Sequence, residues 1–356
     1  MVAGWALGEQ GPMAELLVVV DDHRGTGARL GAEHMTRDDV AERYPDVPDA
    51  RRSGWDVIID VRWVARPSTT LSLLGRTRSG DWIELARNEI RIDEPISPSG
   101  GRRAVFTIAQ NEPVFLPLWL RFYGRHFDPA DIYVLDHDST DGSSAAVDGV
   151  SNLVRVHRDV SFDRTWLTGV VQDFQAFLLR SYDAVLFAEA DEYVVPDPQR
   201  YTGLADYMAR LDGLAACCSG YNVVHYPDQE PPLSFDQPIL RQRRYWHPSP
   251  QWYSKRLLSR IPLSWNIGFH QEFNAPDVAP DPELFLVHLH RVDYEYCLER
   301  HRGVTEREWY EGDRRFDLGW HYRIVEPEEF REWFFHGADL EGTEPEPIPD
   351  RLKEAL

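Results

Sequence analysis

Three carboxylates follow a short apolar run near the middle of the chain. Residues 184–188 read Ala-Val-Leu-Phe-Ala, the length of a buried strand, and Glu189, Asp191 and Glu192 come directly after it. In open α/β sheets the ligand crevice lies beyond the carboxyl ends of the strands, and the alternation of Glu189 and Asp191 lets both face one site. A divalent cation held there could receive a diphosphate. The alternative interpretation is that these acids only begin a solvated loop.

Two histidines further along the chain have the same alternating spacing. His288 and His290 stand in Leu-Val-His-Leu-His, which places both imidazoles on one face of a predicted strand. A single histidine is more often a core residue than a ligand, but two on one face opposite apolar residues favour a binding role. We therefore expect His288 and His290 to be candidate metal ligands.

The elements that must position these groups alternate between strand and helix. Strands are predicted at 104–108, 132–135, 153–156 and 185–188, and helices at about 114–126, after Gly142 and at about 167–182. Short apolar strands that alternate with helices imply parallel pairing through right-handed crossovers. The sequence therefore predicts an α/β fold with a doubly wound, mostly parallel sheet. Beyond it, a helix is predicted at 201–211, strands at 221–226 and 284–289, and a helix from Asp293.

The first hundred residues have a different pattern. Strands with period-2 alternation or aliphatic runs are predicted at 16–20, 55–63, 71–77 and 82–87, with one short helix capped at Thr36. A small antiparallel β-sandwich fits this pattern. The linker composition of 96–103 divides a domain at 1–98 from one at 99–336. Residues 337–356 form an acidic, proline-containing tail, which is either a loose extension or a strap that docks a partner.

A second acidic segment follows the predicted strand at 132–135. Residues 136–143 read Asp-His-Asp-Ser-Thr-Asp-Gly-Ser, which is typical of a helix cap and a tight turn. Asp136 or Asp138 could also accept hydrogen bonds from ribose hydroxyls or a base N–H. The chain has neither Gly-x-Gly-x-x-Gly after its first parallel strand nor Gly-x-x-x-x-Gly-Lys-Ser/Thr. A metal on Asp191 is then the candidate for neutralising a diphosphate.

Four segments in this order resemble the glycosyltransferase family 2 and family 92 type of GT-A enzyme. They are Thr-Ile-Ala-Gln-Asn-Glu at 107–112, Ile-Tyr-Val-Leu-Asp at 132–136 with Asp-Ser-Thr-Asp-Gly at 138–142, a glutamine at 172, and Glu-Ala-Asp-Glu-Tyr at 189–193. The resemblance covers about residues 103–200. It implies a nucleotide-sugar donor, most often uridine-linked, with Asp136 or Asp138 near the nucleoside and Mn or Mg on the acidic motif. It also implies donor contacts for Asn111, Glu112 and Gln172.

The chain departs from this family in its acidic motif, where Glu189-x-Asp191 stands in place of the usual Asp-x-Asp. Glutamate keeps the charge but extends the carboxylate by one methylene, so Asp191 is the firmer predicted ligand. The resemblance also matches His288 to a histidine that completes the metal site or contacts the diphosphate. It places His270, in Gly-Phe-His, near the acceptor or the donor.

A carboxylate downstream of His270 is a candidate for activating the acceptor. Glu272 could remove the proton of the acceptor hydroxyl if the reaction inverts the anomeric carbon, and Asp277 and Asp293 are alternatives.

A basic and aromatic stretch stands between residues 241 and 265. Lys255 and Arg256 are suited to a leaving diphosphate, or they belong to an exposed face that neutralises acidic neighbours. Trp246, Trp252 and Trp265 form either a platform for sugar stacking or part of the core.

The composition restricts the partners. The 356 residues carry a formal net charge of -21, which argues against nucleic acid and anionic membranes because both are bound mainly through Lys and Arg. Three cysteines form no disulfide framework or thiolate-rich zinc site. The chain has no signal peptide at its start and no apolar run of roughly 18 residues, so we expect a cytoplasmic protein without a membrane segment.

These observations together predict a metal-dependent glycosyltransferase. It would move a sugar from a nucleoside-diphosphate sugar to a hydroxyl of a glycan or glycoconjugate acceptor. One alternative is a non-catalytic carbohydrate-binding or scaffold protein on a glycosyltransferase-like fold, in which Glu189 marks the loss of turnover. A metal-dependent hydrolase of phosphate esters is a third class, but it ordinarily needs more clustered Asp and His ligands.

Overall fold

The computed structural model describes residues 2–20, 23–30, 35–57, 68–91, 101–147, 149, 151–159, 162–272 and 278–356. The chain forms two compact units, which are Met1–Ser97 with Pro262–Ser264 and Pro98–Ile261 with Trp265–Leu356. Of the linker predicted at 96–103, residues 96–100 lie outside the described residues.

The first unit is built from antiparallel strands. They are β1 Val2–Trp5, β2 Leu7–Gly8, β3 Gly11–Pro12, β4 Glu15–Val20, β5 His23–Leu30, β6 Gly54–Val57, β7 Ser68–Arg76 and β8 Trp82–Arg91. The four-stranded sheet has the order β5-β4-β7-β8, while β1 pairs with β6 and β2 with β3. Leu16, Val18 and Val20 enter a core that also holds Trp55 and Leu71. Antiparallel structure is confirmed here, the sandwich stays a prediction, and residues 58–63 of one predicted strand lie outside the described residues.

The helix predicted near residue 36 is α1, Asp38–Arg43, and the 3-10 helix Ala50–Arg52 follows it. Arg37 takes the N-cap position of α1 and no side chain caps the helix, so the predicted cap at Thr36 is wrong. Asp38 and Asp39 in the first turn instead complement the positive end of the helix dipole.

The second unit contains a ten-stranded sheet and the remaining helices. The strands are β9 Arg103–Ala109, β10 Ile132–Asp136, β11 Asn152–Arg155, β12 Ala184–Phe187, β13 Glu192–Pro196, β14 Ala215–Val223, β15 Tyr245–Pro248, β16 Arg256–Ser259, β17 Asp281–His288 and β18 Glu346–Pro347. The α-helices are α2 Phe115–Tyr123, α3 Arg164–Leu178, α4 Leu204–Arg210, α5 Tyr294–Thr305, α6 Glu311–Arg315 and α7 Pro327–His336. The 3-10 helices are Pro129–Asp131, Ser143–Val147, Ile239–Arg241, Trp320–Arg323 and Asp350–Leu352.

No helix in the described part of the chain has the length and apolarity needed to cross a bilayer. The longest of them, α3, has 15 residues.

Four neighbouring strands of the large sheet are parallel and have the order β11-β10-β9-β12. Ala109 pairs with Asp136, so the carboxyl ends of β9 and β10 lie side by side. Strand β12 is buried along its whole length and β9 along nearly all of it, as expected for parallel strands that are covered on both faces. This part of the sheet agrees with the predicted alternation of strand and helix.

Outside these four strands most of the pairing is antiparallel, although β14 pairs parallel with β17. Strand β16 pairs antiparallel with β12 and β14, and β15 pairs antiparallel with β14 and β18. The sheet is therefore mixed: the predicted α/β class is confirmed, and the doubly wound, mostly parallel arrangement is not confirmed. Parallel neighbours need a long crossover, usually helical, whereas residues 224–255 contain only β15 and the 3-10 helix Ile239–Arg241.

Strands β13 and β17 form an antiparallel pair next to the acidic loop that follows β12. Glu192 stands opposite His288 in this pair, and the amide of Leu289 donates to the carbonyl of Asp191 at 2.9 Å. Strand β17 also pairs with β14, where Asn222 is the neighbour of His288. This register brings the end of β17 beside the carboxylates of residues 189–192.

Residues 337–356 pack against the rest of the second unit, to which they belong. Strand β18 pairs with β15, and Ile348 and Leu352 are only 3% and 0% exposed. The amide of Ile239 donates to the carbonyl of Leu356 at 2.8 Å. The expectation of a loose extension is therefore wrong, because the apolar residues among the acids of this segment are buried on its own chain.

Candidate functional site

A crevice of about 100 Å³ opens at the carboxyl ends of β9, β10 and β12. Because β9 lies between β10 and β12, the loops that follow the three strands meet at one edge of the sheet. The start of α3 and the side of α5 supply the rest of the wall. The charged residues of the lining are Glu112, Asp163, Arg164, Glu189, Asp191, Arg300 and Arg307.

Asp191, His288 and His290 come together beside this crevice. The Oδ2 atom of Asp191 lies 3.9 Å from Nε2 of His288 and 3.8 Å from Nδ1 of His290. One donor atom from each residue lies within 4.8 Å of the others, and all three residues are buried. The group could therefore hold a metal ion, as the sequence predicts for these three residues.

Hydrogen bonds decide which nitrogen of His288 faces Asp191. The Nδ2 of Asn222 donates to Asp339 at 3.3 Å, and its Oδ1 accepts from Nδ1 of His288 at 2.6 Å. We assign the tautomer of His288 from this network. A proton on Nδ1 leaves the lone pair on Nε2, the atom that faces Asp191, and ligating histidines typically have such an outer partner.

A hydrogen bond with His301 likewise decides which nitrogen of His290 faces Asp191. The Nδ1 of His301 donates to the carbonyl of Ile324 at 3.1 Å, so its Nε2 accepts from Nε2 of His290 at 2.9 Å. His290 then keeps its lone pair on Nδ1, the nitrogen that faces Asp191. A second group, His290 with Cys297 and His301, also has donor atoms within 4.8 Å of one another. Because the hydrogen bond between the two histidines uses both Nε2 atoms, we place a metal with Asp191.

Burial keeps the two histidines neutral, which is the form that binds metals. It lowers the pKa of His288 to about 3. Burial and the neighbouring His301 hold the pKa of His290 well below its ordinary value. Burial opposes ionisation of Asp191, but the charge of Arg300 outweighs it and lowers the pKa of that carboxyl. The donor set is thus two neutral imidazoles and one carboxylate.

Arg300 on α5 links two acids of the crevice. Its Nη1 donates to Asp191 at 2.8 Å and its Nη2 donates to Glu112 at 2.7 Å. Burial disfavours the charge of Arg300, but the two carboxylates outweigh burial and raise its pKa. Glu112, which was predicted to contact the donor, therefore lies in the crevice wall as an ion-pair partner of Arg300. A cation bound to Asp191 would share the Asp191 carboxylate with Arg300.

Lys255 is buried between two acids of the loop after β12. Its Nζ lies 2.6 Å from Glu192 and 3.1 Å from Glu189, so the carboxylate of Glu189 is turned to Lys255 and not into the group around Asp191. The strand alternation assumed for Glu189 and Asp191 ends because β12 stops at Phe187 and a turn follows. Burial raises the pKa of Glu192, although Lys255 opposes the shift.

Asn111 and Asp136 order the loops beside the crevice. The Oδ1 of Asn111 accepts from the amides of Thr140 and Asp141 at 2.7 and 3.3 Å, which joins the loop after β9 to the loop after β10. The Oδ1 of Asp136 accepts from the amide of Ser139 at 3.0 Å. Both predicted residues are therefore at the edge of the sheet where the crevice opens, but the described lining of the crevice includes neither of them.

Asp138 and Gln172 make contacts elsewhere. Asp138 pairs with His157, and this hydrogen bond raises the pKa of the exposed imidazole. The Oε1 of Gln172 on α3 accepts from the amide of Trp265 at 2.6 Å. The described lining of the crevice includes neither side chain.

Arg256, Glu272 and His270 are also outside the described lining of the crevice. Arg256 donates to Glu272 at 2.6 Å, which agrees with the interpretation that the basic stretch neutralises acidic neighbours. The Nδ1 of His270 donates to the carbonyl of Trp252 at 2.7 Å. Burial lowers the pKa of His270 to about 3.

Asp293 has a structural role at the start of α5. Its Oδ1 accepts from the amide of Tyr296 at 3.1 Å as the helix cap, and its Oδ2 accepts from the amide of Leu233 at 2.9 Å. Arg243 also contacts this Oδ2 at 3.3 Å. Both oxygens are occupied away from the crevice, and the alternative base, Asp277, lies outside the described residues.

The structure adds Arg164, Asn222, Arg300, His301 and Arg307 to the residues that sequence reasoning identified. A local signal existed for Arg300 and His301, because both lie on the helix predicted from Asp293, whereas Arg307 lies two residues beyond the end of α5. Arg164 and Asn222 have no such signal, since each reaches the site only through the packing of its strand or helix.

No protein-family model and no curated protein matches the chain. Among solved structures 37 chains match, and one is a candidate polysaccharide deacetylase from Bacillus anthracis, which is 9% identical to this chain. The alignment covers 53% of this chain and 68% of that chain, with a TM-score of 0.15. A TM-score this low carries no argument about fold or function.

Proposed function

We propose that the protein is a metal-dependent glycosyltransferase that moves a sugar from a nucleoside-diphosphate sugar, uridine-linked in the first instance, to an acceptor hydroxyl. The observation that carries the proposal is the buried group of Asp191, His288 and His290 beside a crevice lined by arginines. The order β11-β10-β9-β12 of the parallel strands is in keeping with a GT-A-like sheet. The resemblance of residues 103–200 supports the same assignment.

The donor set suits a divalent transition metal. Two imidazoles and one carboxylate favour Mn over Mg, which prefers oxygen ligands. When bound, the cation would supply positive charge that stabilises the departing nucleoside diphosphate. Asn222 and His301 hold the two imidazoles with their lone pairs toward Asp191.

Arg164 and Arg307 are the proposed contacts of the diphosphate. Both line the crevice, and neither guanidinium forms an ion pair with a carboxylate in the part of the chain that the structure describes. Arg307 donates to the carbonyl of Gln110 at 2.9 Å, which directs its guanidinium along the crevice wall. A planar guanidinium presents two parallel N–H groups, which match phosphate oxygens.

Asp136 is the proposed contact of the nucleoside. Its Oδ2 is buried and has no hydrogen-bond partner among the described residues, and it lies 3.8 Å from Nη1 of Arg155. Asp138, the other predicted residue, already pairs with His157. A buried carboxylate oxygen with free lone pairs is suited to accept from a ribose hydroxyl or a base N–H.

Nucleotide binding tests the proposal without knowledge of the acceptor. Thermal midpoints are measured with uridine diphosphate, guanosine diphosphate and cytidine monophosphate, each with and without Mn, for the wild type, Asp191→Asn and the exposed control Asp212→Asn. A nucleotide at about 100 times its Kd adds about 2.7 kcal/mol, a shift of a few degrees. We expect one nucleotide to stabilise the wild type and the control only with metal, and Asp191→Asn to lose the effect.

The product then separates the enzyme classes. Release of a nucleoside diphosphate from the nucleotide sugar supports transfer, whereas release of inorganic phosphate supports a hydrolase. If none of the nucleotides stabilises the wild type at millimolar concentration, the transferase proposal is wrong and a non-catalytic carbohydrate-binding protein takes its place.

A further inference from the structure

The group around Asp191 joins two cavities. Asp191 lines the crevice described above, while His290 lines a second cavity of about 120 Å³. The second cavity also includes Trp252, which precedes β16, and Trp320 in the 3-10 helix before α7. A molecule in this cavity would therefore lie next to His290, whose Nδ1 faces Asp191.

The two tryptophans of this cavity are exposed at the surface. Trp252 is 39% exposed and Trp320 is 50% exposed, whereas Trp246 and Trp265 are 2% and 4% exposed and belong to the core. Aromatic side chains that line a cavity together with a few polar groups are typical of ligand sites. The flat, weakly polar face of an indole matches the C–H face of a sugar ring.

The polar groups of the cavity suit an uncharged ligand that carries hydroxyls. His270 donates from Nδ1 to the carbonyl of Trp252 at 2.7 Å, which leaves its Nε2 as an acceptor and holds the Trp252 backbone in place. The charge of Arg291 is balanced by Asp339, with 2.8 Å between Nη2 and Oδ1. A cavity with balanced charges favours neither an anion nor a cation.

We infer that this cavity is the acceptor subsite and binds an uncharged pyranose ring that stacks on Trp252 and Trp320. The inference rests on the proposed function, because the hydroxyl that receives the transferred sugar must lie near the metal-binding group. The acceptor is then a neutral glycan, and the residues that contact it lie outside the crevice.

Sugar binding tests the inference independently of nucleotide binding. Saturation-transfer NMR is recorded with the methyl glycosides of glucose, galactose, mannose and N-acetylglucosamine for the wild type, Trp320→Ala, Trp252→Ala and Trp82→Ala. Trp82 is the matched control, since it is 36% exposed in the first unit. We expect at least one glycoside to bind the wild type and the control, and to bind about tenfold more weakly to the other two variants. Trp252→Phe, which keeps an aromatic face, should recover part of the binding.

The outcomes separate the two proposals. The acceptor subsite is overturned if no methyl glycoside binds the wild type, or if Trp320→Ala and Trp252→Ala bind as the wild type does, even when uridine diphosphate still binds with Mn. If the tryptophan variants lose sugar binding but no nucleotide binds the wild type, the sugar site stands and the transferase proposal falls. Thermal midpoints close to that of the wild type verify that the variants are folded.

Discussion

His290 donates a hydrogen bond to His301 through facing Nε2 atoms that are 2.9 Å apart. His301 in turn donates from Nδ1 to the backbone carbonyl of Ile324. A carbonyl between Trp320–Arg323 and α7 therefore determines which nitrogen of His290 faces Asp191. The candidate metal group thus depends on His301, which is not one of its three residues.

Replacement of His301 by leucine should weaken metal binding about 10- to 100-fold, the usual effect of removing the outer partner of a ligating histidine. Without an acceptor at Nε2, His290 can move its proton to Nδ1 and lose the lone pair that faces Asp191. Titration calorimetry with Mn measures the change.

Glutamine at position 301 is the matched control for this prediction. It can donate to the carbonyl of Ile324 and accept from His290, so His301→Gln should retain more of the affinity. Equal affinity of a folded His301→Leu variant and the wild type would show that His301 does not set the tautomer of His290.

Replacement of Arg300 by methionine should destabilise the fold by about 3–5 kcal/mol, because Asp191 and Glu112 are left buried without a cation. Saturating Mn should recover part of the loss, since a cation at Asp191 replaces the missing charge. Urea unfolding with and without Mn measures both effects. Arg302→Met, at an exposed position of the same helix, should change stability by less than about 0.5 kcal/mol. Similar losses for the two variants would argue against the ion-pair network.

The start of α5 should make stability depend on pH through His225. Its Nε2 donates to the carbonyl of Glu230 at 3.2 Å, and its Nδ1 accepts from the amide of Tyr294 at 3.1 Å. Burial lowers the pKa of His225 below its ordinary value of 6.5. The unfolded chain then takes up the proton first, so the stabilisation is complete above about pH 6.5 and is lost as the pH falls toward the lower folded pKa.

Glutamine at position 225 preserves both hydrogen bonds without a titrating group. Unfolding free energies between about pH 7 and pH 5 should fall more steeply for the wild type than for His225→Gln, by at most about 1.4 kcal/mol per pH unit. The difference between the two pH profiles gives the contribution of His225 alone, because the other buried histidines are the same in both proteins. Parallel pH profiles for the two proteins would contradict the prediction.

Residues 337–356 should contribute measurably to the stability of the second unit. Leu352→Ala removes a side chain that is 0% exposed and should cost about 2–5 kcal/mol. Glu346→Ala changes an exposed position of β18 and is expected to be nearly neutral. Urea unfolding compares the two variants, and an unaffected Leu352→Ala variant would mean that the segment is not packed in solution.

The amino-acid sequence alone determined the parallel strands and the residues that could bind a metal. The apolar runs that become β9, β10 and β12 are short and local, and their ends carry polar groups that the topology of parallel strands brings to one edge. His288 and His290 were identified by their alternating spacing, although only the pairing of β13 with β17 brings them to Asp191. Local periodicity is sufficient to predict these strands and this spacing, because both depend only on residues that are close in sequence.

Only the tertiary structure decided which cation each acid meets and which nitrogen each histidine presents. Arg300 lies 109 residues after its partner Asp191, and Lys255 lies 66 residues after Glu189. Nothing in the residues near either acid specifies these pairs, because the pairs depend on how α5 and β16 pack against the loop after β12. Buried charges must be compensated by whatever packing places beside them, and that placement is a property of the whole second unit.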